Sequence, residues 1–216
     1  MPKDNMTEIR WHARGGQGAK TAATLVAAVA LEEGKYSQGF PDYGPEREGA
    51  PVRGYTRISD EPIWVHSAIY APDIVVVLDP TLLDSVDVTE GLKDGGIVLI
   101  NSSHDPAQLR EELGLKDAKV YTVDASQISI EEIGRAIPNT PMMGALMKVM
   151  PILKLESILA DIEKKFKSKG DRIVQLNFKA VDMTLANLHE IPVPGEVTSD
   201  WNRPPPVPAD APEYVQ

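Results

Sequence analysis

Residues 73–80 read Asp-Ile-Val-Val-Val-Leu-Asp-Pro, five apolar residues in a row, four of them β-branched, closed by an acid and a proline. A strand with one face in water alternates polar and apolar residues. An unbroken apolar run this short is what a strand buried on both faces requires. Such a strand needs cover above and below, so it belongs inside a sheet with helices on its faces.

The neighbouring segments fit that frame. Thr7–Ala13 alternates and stops at Gly15-Gly16, which reads as a strand, and Lys20–Glu33 is Ala-rich and closes at Gly34, which reads as a helix. Residues 50–59 form a β-rich stretch, and 62–67 is a further possible strand. Leu82–Lys93 reads as a helix, Ile97–Asn101 as a second buried strand, and Asp105-Pro106 as the cap and first turn of a helix ending near Leu113. Lys119–Asp124 reads as a short strand and Ile130–Ile137 as a helix. Strands alternating with helices imply βαβ crossovers and an α/β fold, with a mostly parallel open sheet flanked by helices. Ligands of such sheets sit beyond the carboxyl ends of the strands, here Arg14-Gly15-Gly16, Asp79-Pro80 and Asn101-Ser102-Ser103.

From Pro138 the texture changes. Residues 141–150 hold four of the seven methionines, and core filling or a subunit contact is favoured over a soft binding surface. Two helices follow, over 155–169 and 171–188, split by Gly170. Residues 191–216 contain seven of the 18 prolines and no apolar periodicity. The expected organisation is one α/β domain over 1–190, with a helical C-terminal portion, and a proline-rich arm over 191–216 laid on a partner or left free.

Composition narrows the function classes. The 216 residues carry a formal charge of −10 and no cysteine. Without cysteine there is no disulfide scaffold, thiolate-held cluster or cysteine nucleophile, which fits a reducing cytoplasm. The acidity argues against nucleic acid as the main partner. The amino terminus has no signal-peptide pattern, and Thr21–Leu31 is too short to span a bilayer, so a soluble cytoplasmic chain with no membrane partner is expected.

Arg14-Gly15-Gly16-Gln17-Gly18-Ala19-Lys20 joins a strand to a helix. Its glycines permit a tight turn and leave N–H groups bare at a helix N-terminus, where an anion is favoured; Arg14 and Lys20 add positive charge. It is no Walker loop, because Ala19 precedes the lysine. It is an incomplete dinucleotide fingerprint, because Thr21 stands where the third glycine belongs; Glu32 or Glu33 would be the ribose acid. A turn made only for packing explains the same residues.

Residues 39–52, Gly-Phe-Pro-Asp-Tyr-Gly-Pro-Glu-Arg-Glu-Gly-Ala-Pro-Val, combine dense turn signals with two aromatics. The segment reads equally as an ordered loop presenting Tyr43, Glu46 and Arg47 to a ligand or a neighbouring chain, or as an elaborate crossover between strands. The four histidines show no helical pairing for a metal, and no Gly-x-Ser-x-Gly elbow is present. Asp79 and Asp124 read as caps rather than catalysts.

Taken in order, Arg14-Gly15-Gly16-Gln17-Gly18, then Tyr43-Gly44-Pro45-Glu46-Arg47 with Gly49-Ala50-Pro51-Val52, then the 73–80 run resemble the gamma subunit of the 2-oxoacid:ferredoxin oxidoreductases. The Gly-Pro-Glu-Arg form is closer to the pyruvate branch than to the 2-oxoglutarate branch. The resemblance implies a complex that decarboxylates a 2-oxoacid on thiamine diphosphate, sends electrons through iron–sulfur clusters to ferredoxin, and captures the acyl group on coenzyme A. It implies alpha and beta subunits holding thiamine diphosphate, a ferredoxin-like subunit holding the clusters, and a gamma subunit that helps to hold coenzyme A. Gly15, Gly16, Gln17 and Gly18 match the glycine-rich turn; Tyr43, Gly44, Pro45, Glu46, Arg47, Gly49 and Pro51 match the loop facing the other subunits; the resemblance thereby implies a cofactor contact for Arg14, Gly15, Gly16, Gln17, Gly18 and Lys20 and for Tyr43, Gly44, Pro45, Glu46 and Arg47. No residue is nominated as acid, base or nucleophile. Two rivals remain: a stand-alone Rossmann-like NAD(P) oxidoreductase, and a scaffold that binds no small molecule.

Overall fold

The computed structural model describes residues 6–42 and 49–191. The five-residue apolar run becomes β4 (Ile74–Val77), and it is buried on both faces. Ile74 and Val76 join one hydrophobic cluster and Val75 and Val77 the other, so alternate residues fill cores on opposite sides of one sheet.

That sheet has seven strands in the order β2-β3-β1-β4-β5-β6-β7. Its centre is parallel: β1 (Met6–Arg14), β4, β5 (Ile97–Asn101) and β6 (Lys119–Val123) pair in one direction. Its edges are antiparallel: β2 (Tyr36–Pro41) pairs β3 (Pro51–Ser59), β3 pairs β1, and β7 (His189–Ile191) pairs β6. The larger core lies under α1 (Ala19–Glu32), α3 (Ala125–Ile133), α4 (Asn139–Val149), α5 (Leu155–Phe166) and α6 (Asp171–Ala186). The smaller lies under α2 (Pro106–Glu112) and the irregular segment after β4. Met142, Met143, Met147 and Met150 are all buried, so the methionine-rich stretch fills core.

Three sequence expectations need correction. Leu82–Lys93 is not a helix: after a 3-10 turn at Pro80–Leu82 the chain runs irregularly. Asp87 closes a local turn on the Thr89 N–H at 3.1 Å, and the Val88 and Glu90 carbonyls are taken by the Arg10 guanidinium, which competes with helical bonding. Residues 62–67 form no strand; the Val65 and Ala68 carbonyls accept from Arg57 instead. The helix expected over 130–137 begins earlier, at Ala125, because Asp124 caps it through the Gln127 N–H at 2.9 Å, and Gly134 ends it with φ 79°. Strands β2 and β7 and helix α4 were not anticipated. The expected arm beyond residue 191 lies outside the described residues. No helix among the described residues is long and apolar enough to cross a membrane.

Candidate functional site

Strands β1 and β4 run side by side, so the glycine turn after Arg14 and the acid at Asp79 emerge together at the carboxyl end of the sheet. Gly16 and Gly18 take φ 97° and 89°, a region that side chains with a Cβ avoid. Gln17 holds the turn shut. Its Oε1 accepts from the Arg14 N–H at 2.8 Å, and its amide donates to Asp79 Oδ2. Gly18 precedes α1, whose first turn has no acidic residue and no side-chain cap. The result is the bare, positively polarised helix start that the sequence implied.

Arg14 braces the turn and also lines the opening in front of it. Its Nε lies 3.6 Å from Asp79 Oδ2 and donates to Thr81 Oγ1 at 3.0 Å, while Nη1 donates to the Gly49 carbonyl at 3.1 Å. Asp79, expected as a cap, accepts from the Thr81 N–H at 2.9 Å and so heads the 3-10 turn. Burial pushes the Asp79 carboxyl up, but the bonds from Thr81 and Gln17 and the charge of Arg14 outweigh it and leave the group below the usual aspartate range. Asp79 is therefore a fixed anion, not a proton donor.

A cavity of ≈ 420 Å³ opens on this turn. Gly15, Gly16, Gly18 and Lys20 form one wall; Pro41, Asp42, Val52 and Arg53 from β2 and β3 form the other. The Asp42 N–H donates to the Arg53 carbonyl at 3.0 Å, and the Gly49 N–H donates to Gly15 at 3.2 Å. Asp42 is thus fixed at the cavity and Gly49 at the glycine turn. Tyr43, Gly44, Pro45, Glu46 and Arg47 themselves lie outside the described residues. Tyr55 donates to Asp42 Oδ2 at 3.0 Å; burial, then that bond, raises its hydroxyl above the ordinary tyrosine value.

A larger cavity of ≈ 790 Å³ lies at the opposite, amino ends of the strands. Its charges are matched locally, Lys35 with Asp60 at 2.7 Å and Lys93 with Asp73 at 2.6 Å. The glycine-turn cavity has the chemistry for an anion and the place that parallel sheets reserve for ligands. Among the described residues no group of three or more His, Cys, Asp or Glu stands together to hold a metal ion.

The geometry also bears on the dinucleotide rival. In a Rossmann unit the helix after the glycine turn leads to a parallel strand that carries the ribose acid. Here α1 leads to β2, which runs the same way as β1 but is separated from it by the antiparallel β3. Glu32 bonds Lys164 at 2.7 Å and Glu33 accepts from the Lys154 N–H at 2.9 Å, both at the far end of α1, about 20 Å from the turn at 1.5 Å per residue. Neither is placed to meet a ribose. Sequence reasoning passed over Arg53 and Asn139, which meet the turn only through the fold; Asn139 of α4 packs directly on Gly18.

The chain matches the family described as "Pyruvate ferredoxin/flavodoxin oxidoreductase" over residues 8–186. It is 52% identical, over 74% of its length and 87% of the relative's, to the pyruvate/ketoisovalerate oxidoreductases common subunit gamma of Thermococcus kodakarensis. It is 50% identical, over 81% of its length and 90% of the relative's, to the pyruvate synthase subunit PorC of Thermotoga maritima. Among solved structures, the Thermotoga maritima pyruvate oxidoreductase subunit PORC superposes with a TM-score of 0.79 at 43% identity, over 88% of this chain and 100% of that one. The fold recurs at 18% identity and a TM-score of 0.71 in the 2-oxoglutarate:ferredoxin oxidoreductase of Magnetococcus marinus, a structure with 2-oxoglutarate, coenzyme A and succinyl-CoA bound; the match covers 85% of this chain and 31% of that one. The chain belongs to the pyruvate ferredoxin/flavodoxin oxidoreductase family, among its gamma subunits.

Proposed function

We propose that the chain works as the gamma subunit of a pyruvate-type 2-oxoacid oxidoreductase in the cytoplasm, and that the cavity at the glycine turn receives a phosphate-bearing part of coenzyme A. The observation that carries this is the juxtaposition of an uncapped helix start, Gly16–Ala19, with Lys20 and Arg53 around one opening. Backbone N–H groups at a helix start and flexible cations suit phosphate oxygens, and they do so locally whatever the net charge of the chain.

In this reading the chain binds and orients, and the redox chemistry is elsewhere. Thiamine diphosphate belongs to the alpha and beta subunits, which decarboxylate the 2-oxoacid. The clusters belong to a ferredoxin-like subunit, because this chain has no cysteine to ligate iron. Arg14, Gln17 and Asp79 keep the turn in shape, Lys20 faces the ligand, and Tyr43, Gly44, Pro45, Glu46 and Arg47 meet the neighbouring subunits.

The test is steady-state kinetics of the complete complex carrying Lys20→Ala. The expected result is a KM for coenzyme A raised about fivefold, the loss of roughly one screened charged contact, with the KM for the 2-oxoacid unchanged. An unchanged KM for coenzyme A in Lys20→Ala and in Arg53→Ala would leave the scaffold reading in its place.

A further inference from the structure

The segment between β3 and β4, residues 60–72, has no helix and no strand, yet the fold fixes it. The buried Arg57 guanidinium donates to the Val65 carbonyl at 3.5 Å and to the Ala68 carbonyl at 3.4 Å. Ile69 is buried, and Gly91 backs so closely on the Tyr70 carbonyl that no Cβ fits there. What the segment displays is apolar. Trp64 is 83% exposed and Tyr70 75%, and Val65 is exposed as well. Tyr36 of β2, also exposed, pairs with Ser59, two residues from Arg57, so it stands on the sheet face that carries the segment. Aromatic rings held open to water on a fixed backbone mark a docking surface.

The same chain holds a segment that suits such a surface. Residues 203–208 read Arg-Pro-Pro-Pro-Val-Pro. Proline fixes φ and lacks the N–H, so this run favours the extended polyproline form, which docks on aromatic-lined surfaces with little entropy left to lose. Charge agrees: Arg203 precedes the prolines, and Glu61 precedes Trp64 by three positions. Reach agrees as well. Ile191 pairs with Val120, near the start of β6, so the chain leaves β7 at the amino ends of the parallel strands. Residues 60–72 begin at that same end, because Ser59 pairs with Met6 at the start of β1. From β7 to β3 is five strand spacings, about 24 Å. The thirteen residues from Ile191 to Pro204 span up to about 40 Å in the extended form.

We propose that Trp64, Tyr70 and Tyr36 form a docking surface for a polyproline segment, and that its occupant is residues 203–208 of the same chain. The tether supplies an effective concentration in about the millimolar range, so the contact needs no high affinity. The inference is independent of the coenzyme A reading, since the glycine-turn cavity lies at the other end of the strands.

The test uses the full chain carrying Trp201→Phe, which leaves buried Trp11 and exposed Trp64 as the emitters. Its acrylamide quenching is compared with that of the same chain further changed by Pro204→Ser, Pro205→Ser and Pro206→Ser, substitutions outside the sheet. The expected result is a Trp64 quenching constant about threefold higher in the serine variant, at every protein concentration. Equal constants overturn the proposal. A difference that appears only as concentration rises assigns the arm to a second copy and overturns the contact within one chain. Shielding of Trp64 only in the complete complex, alike with and without the prolines, assigns the surface to another subunit and overturns it too. Trp64→Ala with Tyr70→Ala gives a second readout and removes only exposed side chains, so the core is retained. Proteolysis within residues 192–216 is expected to run about tenfold faster in that variant; an unchanged rate also overturns the proposal.

Discussion

His12 shows how far one residue can depart from what its strand pattern implies. Along β1 the residues Glu8, Arg10 and His12 alternate with Ile9, Trp11 and Ala13, which reads as a water-facing row, yet all three are at most 5% exposed. They are covered, and their charges are met. Arg57 donates to Glu8 Oε1 at 2.9 Å, and Arg10 donates to His12 Nε2 at 3.0 Å and to the Val88 carbonyl at 3.0 Å. Burial, then the positive charges of Arg10 and Arg53, lowers the His12 pKa to about 3. The unfolded chain takes up this proton below about pH 6.5, whereas the folded chain refuses it until about 3. The unfolded state therefore binds more protons across that window, and stability contributed by neutral His12 is lost as pH falls, at up to about 1.4 kcal/mol per pH unit. Urea unfolding of His12→Gln between pH 7 and pH 4 is expected to give a flatter stability curve than the wild type. Parallel curves would mean that His12 is not held neutral.

At the scale of elements, the fit of α1 to the sheet explains why that helix is rich in alanine. A Cβ on Gly39 in β2 would meet the Ala23 carbonyl at 2.6 Å, Ala27 Cβ at 2.8 Å and Thr24 Cα at 2.8 Å. The helix rests almost on the strand backbone, and Thr56 seals the contact by donating to the Ala23 carbonyl at 2.9 Å. Larger residues on either side would lift α1 and with it the glycine turn. Gly39→Ala is expected to cost about 1–3 kcal/mol, read as a lower midpoint in chemical denaturation; a wild-type midpoint would show that the helix can move away freely. This contact also marks what the sequence could disclose. The strands at 74–77 and 97–101 were legible because apolar runs depend on local composition alone, and 119–123 because Val120, Tyr121, Thr122 and Val123 are all strand formers. Strand β2 was hidden because Gly39 and Pro41 look like a loop, and only the approach of α1 and the pairing with β3 make them an edge strand. The glycine turn was legible in Gly15, Gly16 and Gly18, whose spacing requires a tight bend. The fixing of Arg14 by Asp79 was not, since 65 residues separate them and only the parallel pairing of β1 and β4 joins them. Arg53 and Asn139 were invisible for the same reason.

For the whole molecule, the parallel centre gathers the ends of β1 and β4 into one opening, and the antiparallel edge of β2 and β3 supplies its other wall. What the opening offers is positive charge, backbone donors and shape. Asp79, the acid that braces the turn, is held ionised by Thr81, Gln17 and Arg14 and so has no proton to exchange near neutral pH. Such a chain can hold and orient a ligand without transforming it. The central claim, a gamma subunit that assists but does not catalyse, is tested most directly by measuring coenzyme A-dependent 2-oxoacid oxidation, with thiamine diphosphate and ferredoxin supplied, for the purified chain alone and for the chain combined with its thiamine-binding and cluster-binding partners. The account predicts no turnover by the chain alone and ferredoxin reduction only in the combined sample; turnover by the isolated chain would contradict it.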